Sequence, residues 1–336
     1  MSKWYQTAGP QGDVVVSTRV RLARNVSDLP FPAAMNAAHR AALTERLRGA
    51  LEGSAWDFQY LDMSAMPETA ALSLAERHLI SPEFARREAG SGLFLSRDES
   101  VSIMVCEEDH IRLQVMCEGM QLDQAYQTAR RLEERLDAAL HFAYDERLGY
   151  LTQCPSNLGT GMRASLLLHL PMLQQRGSLA NLSGTVSKLG MTVRGLYGEG
   201  SRPSGAFYQL SNQITLGISE QAALANLRGV AEQIIEQERR LREQRKGDAA
   251  FEDAVWRACG VLRTARLLSS AECLDLLSTL RVGVATGLVS DISLDTLCTV
   301  QNSVGAATLM LAQNKPLSAS QRDAARAACV REALAH

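Results

Sequence analysis

The chain changes character near residue 220, and that change limits the folds open to it. Before this point, alternating and β-branched stretches are interspersed with helical ones; beyond it only helical periodicity is left. Val14, Val15, Val16 and Val20 interleave with Ser17, Thr18, Arg19 and Arg21, as in a strand that runs into a polar site. Val101, Ile103 and Val105, then Ile111, Leu113 and Val115, alternate as two strands either side of the acidic turn Glu107-Glu108-Asp109. Residues 36–52 read as an amphipathic helix capped by Asn36, and 122–142 place Leu122, Ala125, Ala129, Leu132 and Leu136 at helical spacing. A long helix over 220–245, capped by Ser219, ends in the charge run Glu238 to Lys246, which reads as a solvated end leading through Gly247 into a linker. Segments near 250–264, 270–281, 293–312 and 320–334 then all read as helices. The pattern predicts a mixed α+β domain over 11–241 and a small all-helical domain over 247–336.

With 336 residues, the chain has enough length for one large or two medium cores. Its net charge of -2 and pI of 6.3 argue against a direct nucleic-acid or membrane-surface role. Seven scattered cysteines include no Cys-x-x-Cys pair, so neither a zinc site nor a redox pair is signalled, and no metal-ligating set is expected. No signal peptide and no apolar run of about 18 residues is seen, which points to a reducing cytoplasm.

Four arginine-bearing segments carry the chemistry: Ser17 to Arg21, Glu107 to Arg112, Cys154 to Arg163, and Arg194 to Gly200. The chain has 31 Arg and 4 Lys, and these motifs contain no Lys at all. Strand alternation puts Arg19 and Arg21 on one face, where two like charges repel unless an anion lies between them; the alternative is a solvated strand edge. No GxxxxGK[ST] loop is present, so a triphosphate is expected within a cluster of Arg19, Arg21, Arg112, Arg163 and Arg194, whose forks bind oxygens in pairs.

Cys154 to Arg163 (CPSNLGTGMR) places a thiol, a hydroxyl, two glycines and a cation within ten residues. Glycines there let the main chain approach a ligand closely, and cations favour a thiolate. Glu108 and Glu199 come from separate loops, the second glycine-rich and lid-like. Two carboxylates and a thiolate suit a planar guanidinium, so the inferred reaction is phosphoryl transfer to nitrogen, with Mg²⁺ bridging the phosphates.

STRVRLARN, EEDHIR, CPSNLGTGMRA, RGLYGEG and SNQITLG occur in order between residues 13 and 241, and together they resemble the ATP:guanido phosphotransferase family. The resemblance implies an antiparallel sheet flanked by helices, ATP as phosphoryl donor, and Ser17, Arg19, Arg21, Arg112, Arg163 and Arg194 at the nucleotide. His78, in ERHLISP, resembles a nucleotide-contacting histidine, with a helix-capping role as the alternative. Glu108 and Glu199 resemble the guanidinium carboxylates, Glu108 as base, and Cys154 the substrate-orienting cysteine with Ser156 bonded to its thiolate. Cys106 departs from the Asn common in the family and bears on how Glu108 is held.

Only sixteen residues precede Ser17, whereas small-guanidine kinases carry a helical domain there, so an open site that accepts a protein surface is expected. Within the family the chain is most similar to the bacterial protein-arginine kinases. Arg322-Asp323-Ala324-Ala325-Arg326-Ala327 matches that branch's RDxxRA phosphoarginine-binding motif, with Arg322 and Arg326 on one helix face. The alternative is a capping arrangement: Ser320 as N-cap, Asp323 at N3 and an Asp323–Arg326 surface pair. The resemblance further implies a homodimer, an allosteric role in stress response and protein quality control, a McsA-like activator, and delivery of marked proteins to the ClpC–ClpP protease. Two other readings stay open at this point, a small-guanidine kinase and a non-catalytic phosphoarginine-binding adaptor.

Overall fold

A computed structural model describes residues 2–86, 90–195 and 204–335. In chain order the elements are β1 (Val15–Arg24), α1 (Ala37–Leu51), β2 (Phe58–Asp62), α2 (Glu68–Glu76), β3 (Gly92–Ser96), β4 (Val101–Val105), β5 (Ile111–Glu118) and α3 (Leu122–Leu140). There follow a short hairpin of β6 (Tyr144–Asp145) and β7 (Gly149–Tyr150), then β8 (Met162–His169), α4 (Pro171–Gln175), α5 (Leu179–Lys188), β9 (Met191–Gly195), β10 (Phe207–Asn212) and α6 (Glu220–Glu243). Five further helices complete the chain: α7 (Ala249–Thr264), α8 (Ser270–Ala285), α9 (Leu294–Ser303), α10 (Ala306–Ala312) and α11 (Ala319–Ala333).

Eight strands form one antiparallel sheet in the order β2-β3-β4-β5-β1-β8-β10-β9. Val20 and Leu22 of β1 turn into the main core with residues of α1, α3 and α6, so Arg19 and Arg21 face the other way. Because β1 is hydrogen-bonded on both sides, by β5 and β8, the solvated-edge alternative for these arginines is excluded. The helical domain has its own core, built on Phe251, Val255, Leu262, Leu277, Leu280 and Val330. It docks over the arginine-bearing face through several bonds, among them those of Glu76 and Asp275. Glu76 of α2 accepts hydrogen bonds from Ala307 N (2.9 Å) and Thr308 N (2.8 Å). Asp275 of α8 accepts one from Gly205 N (2.7 Å).

Several sequence expectations need correction. The 293–312 segment is two helices, broken at Val304-Gly305, with the Glu76 carboxylate from the other domain taking the second helix's first amides. The last helix is capped by Ser318 in a reciprocal arrangement with Gln321, not by Ser320. The run from Glu238 to Lys246 is only partly solvated: Glu238 and Arg242 are buried and paired at 2.9 Å. Arg242 also donates to the carbonyls of Asp13 (2.8 Å) and His169 (2.9 Å), tying the end of α6 to the sheet. The Asp323–Arg326 pair is real at 2.7 Å, but Arg326 is buried, so it is no surface pair.

Candidate functional site

Arg19 and Arg21 on β1, Arg112 on β5, Arg163 on β8 and Arg194 on β9 line one cavity of about 750 Å³, together with His78. Register makes this convergence: Arg21 sits directly across from Arg163, and Arg194 across from Gln209. Like charges facing each other across strands are unfavourable. Burial lowers Arg19 to about 10, with Arg163 and Arg112 adding to the shift. Burial, then Arg19, Arg112 and Arg163, push Arg21 well below its ordinary value; burial, then Arg194 and Arg112, lower Arg163. Among the described residues Arg19 finds only neutral hydrogen-bond partners, Gln209 Oε1 at 2.5 Å and Ser165 Oγ at 3.4 Å. Among the same residues the buried Nε atoms of Arg21 and Arg163 have no hydrogen-bond partner. Donors left unsatisfied among repelling cations fit an anion with several oxygens, as the phosphates of a nucleotide provide. Ser17 is buried on the same strand and is not among the residues lining this cavity.

His78 reaches the cavity through an unusual helix end. After α2, His78 N donates to Ala75 O and Leu79 N to Leu74 O, both at 3.0 Å, and His78 has φ 62°. That position normally takes glycine. The Gln114 side chain fixes the His78 carbonyl at 2.8 Å. Burial, then Arg19, lower His78 to about 4, so the ring is neutral at physiological pH. The sequence alternatives of helix end and nucleotide contact are therefore compatible in one residue.

Arg112 joins this cavity to a neighbouring hollow of about 470 Å³ lined by Glu107, Glu108, Gln153, Glu83 and Arg40. Its Nη1 lies 2.9 Å from Glu107 Oε1 and its Nη2 3.0 Å from Glu108 Oε2. Glu107 is buried, and it also accepts from Ser81 Oγ (2.9 Å) and from the backbone N of Glu108 (2.7 Å). Glu107 thus orients both the half-exposed Glu108 carboxylate and Arg112.

Asp109 of the acidic turn and its neighbour His110 are buried scaffolding. Asp109 Oδ1 accepts from Asn25 Nδ2 and from Gln153 N, each at 2.7 Å, which pins the Cys154 loop to the acidic turn. His110 Nδ1 accepts from Val26 N at 2.9 Å. In the loop, Cys154 Sγ is 3.0 Å from Ser156 Oγ, and Thr152 Oγ1 donates to Cys154 O at 2.8 Å. The two glycines of this loop pack against their own chain. A Cβ on Gly159 would lie 2.2 Å from Thr215 O, and one on Gly161 2.6 Å from Arg24 Nη1, so both serve close packing of the loop on its own chain.

Cys106 is buried with φ 56°, its sulfur 3.9 Å from Met35 Sδ. Burial pushes its thiol up to about 11, so it is neutral packing. A positive φ is one that Asn adopts more readily than Cys. Glu199 lies outside the described residues. Arg322 and Asp323 are half-buried at the start of α11, with Arg322 Nη1 on Leu317 O at 3.1 Å. Buried Arg326 donates to Val304 O (3.0 Å), Leu268 O (2.7 Å) and Asp323. The structure does not bring this motif to the arginine-lined cavity, though Val304 lines it. Among the described residues no three His, Cys, Asp or Glu gather to hold a metal ion, and no helix is long and apolar enough to cross a membrane.

Asn25, Asp109, Ser81 and Gln114, which position the candidate residues, escaped the sequence reading as site residues; Asn25, Ser81 and Asp109 stand inside the quoted motifs, which was their only signal.

The profile described as ATP:guanido phosphotransferase, C-terminal catalytic domain, matches residues 41–241, and that of the protein-arginine kinase McsB C-terminal domain matches 248–336. A protein-arginine kinase from Halothermothrix orenii is 39% identical over 337 residues, covering 99% of this chain and 97% of that protein. One from Moorella thermoacetica is 42% identical over 342 residues, covering 99% and 97%. Among solved structures, a duplicated taurocyamine kinase from Schistosoma mansoni, with bound transition-state-analogue components, superposes with TM-score 0.63 at 27% identity. It covers 77% of this chain and 41% of that one. Lombricine kinase shares the fold with TM-score 0.62 at 24% identity, covering 72% of each chain.

Proposed function

The chain belongs to the ATP:guanido phosphotransferase family, on its protein-arginine kinase branch, and we propose that it moves the γ-phosphoryl group of ATP onto arginine side chains of proteins. The observation that carries this reading is Arg112, which lines the cation cavity and holds Glu108 at 3.0 Å in the adjoining hollow. A donor's phosphates and an acceptor's guanidinium would meet across it.

In this scheme Arg19, Arg21, Arg112, Arg163 and Arg194 hold the triphosphate, and neutral His78 adds a contact. A substrate guanidinium displaces Arg112 from Glu108, which takes the proton from the attacking nitrogen. A new N–P bond forms as the bond from γ-phosphorus to the bridging oxygen breaks, and ADP leaves. Cys154, bonded to Ser156, orients the guanidinium as an anion and forms no covalent intermediate. Glu199 is the second carboxylate, on the family resemblance. No three acidic, His or Cys side chains gather for a metal among the described residues, so a Mg²⁺ would be held by the phosphates themselves and would supply charge neutralisation there. Arg322 and Asp323 are the half-exposed groups of a phosphoarginine pocket, with Arg326 holding the helix beneath them. We extend the reading, on the same resemblance, to a cytoplasmic homodimer with a McsA-like activator that marks proteins for ClpC–ClpP in stress response.

Incubation with Mg-ATP and an arginine-rich unfolded protein is expected to yield acid-labile phosphoarginine. Transfer to free arginine or creatine instead would support a small-guanidine kinase. Cys154→Ala is expected to lower turnover about a hundredfold, the scale of lost orientation at a reacting centre. Cys117→Ala, at a buried thiol pushed up to about 12, leaves activity per folded molecule unchanged. Equal losses in the two variants would refute the role of Cys154.

A further inference from the structure

The arginine-lined cavity is a cleft between the two domains, and its second wall has a different chemistry from the first. The sheet wall carries five guanidiniums. The other is built from Leu72 and Ala75 of α2, Leu274 of α8, and Gln301, Ala306 and Met310 around the break between α9 and α10. Two carboxylates, Glu76 and Glu83, also line the cavity; the oxygens of Glu76 are taken up by Ala307 N, Thr308 N and Thr308 Oγ1. Those bonds, with Asp275 on Gly205 N, fix the helical domain at two separate points over the cleft. Asn302 has its Nδ2 on Cys298 O at 2.9 Å, whereas the half-buried Gln301 amide makes no hydrogen bond among the described residues. A triphosphate held by the arginines leaves its nucleoside needing an apolar face and an amide edge, and this wall offers both.

We propose that the helical domain supplies the nucleoside half of the nucleotide site, Gln301 pairing with the purine edge and Met310 packing on its ring. A side-chain amide matches adjacent donor and acceptor atoms of adenine in a two-pronged contact. A thioether packs favourably against an aromatic ring and adapts to its outline. The nucleotide then binds both domains at once, and the helical domain is part of the kinase site. This inference rests on the nucleotide reading above and extends it to residues beyond the catalytic domain.

The test uses the full chain, wild type against Gln301→Ala, Met310→Ala and the conservative Met310→Leu. Steady-state kinetics with Mg-ATP and a protein substrate are paired with calorimetric binding of ATP and of inorganic tripolyphosphate. KM for ATP is expected to rise about tenfold in Met310→Ala and about fivefold in Gln301→Ala, the scale of one lost contact each. The kcat and the KM for protein substrate stay within about twofold, tripolyphosphate binding is unchanged, and Met310→Leu restores ATP affinity. Unchanged ATP affinity in both alanine variants overturns the proposal. So does a parallel loss of tripolyphosphate affinity, which marks a general structural effect. If wild type forms no phosphoarginine, the activity reading fails, while the difference between ATP and tripolyphosphate binding still decides this one.

Discussion

Arg21 and Arg326 are both drawn out of solvent, yet they stand in opposite situations. Arg21 faces Arg163 across two strands, has an unpartnered buried Nε, and is lowered by burial and three neighbouring guanidiniums. Arg326, 2% exposed, spends its donors on Val304 O, Leu268 O and the Asp323 carboxylate. One is a cation that the fold leaves unfinished; the other is a strut that finishes the fold. A charge held at a cost, without partners, marks a ligand site, and a charge fully bonded to backbone marks structure.

The comparison can be broken by experiment. Arg21→Ala is expected to lower kcat/KM for ATP about a thousandfold, roughly 4 kcal/mol of transition-state stabilisation. The same variant keeps or slightly raises the unfolding midpoint, because a repelling charge is gone. A loss of stability there would show that Arg21 is a strut after all. Arg326→Ala has the converse profile. It strands three acceptors and is expected to cost about 3 kcal/mol in urea unfolding. Full stability in that variant would move Arg326 to the ligand-binding side.

The smallest effect concerns two histidines, one on each side of the same contrast. His78 lies at the cavity, and His169 is buried between the domains with Nε2 2.7 Å from Ser278 Oγ. Burial, then Arg19, lower His78 to about 4, and burial, Arg242 and Arg281 lower His169 well below its usual 6.5. The unfolded chain therefore binds more protons below about pH 6.5. Stability is full above that value and is lost as pH falls towards 4, by about 1.4 kcal/mol per pH unit for each histidine at most. ATP is expected to soften only the His78 part, since phosphates favour its protonated form. Acid sensitivity untouched by ATP would remove His78 from the nucleotide.

Much of the architecture was legible because periodicity reports burial on one face. The caps Asn36 and Ser219 and the alternation of β4 and β5 are of this kind. β8 escaped because its Leu166, Leu167 and Leu168 are buried on both faces, which erases alternation. The break at Gly305 escaped because Glu76, more than two hundred residues away in sequence, takes the amides that start α10. The glycines of the Cys154 loop are legible in the sequence, but the close packing of Thr215 and Arg24 against them is not, because it joins distant parts of the chain.

By itself the sequence determined the division into a mixed domain and a helical one, the arginine-rich chemistry, and the family. These are set by local periodicity and by short motifs whose residues act within a few positions of one another. Tertiary structure decided which arginines line the cavity and which brace the fold, and it made the helical domain a wall of that cavity. Strand register places Arg21 against Arg163, and interdomain docking places Met310 above the sheet. Both depend on contacts between residues far apart in the chain, and no local pattern encodes them.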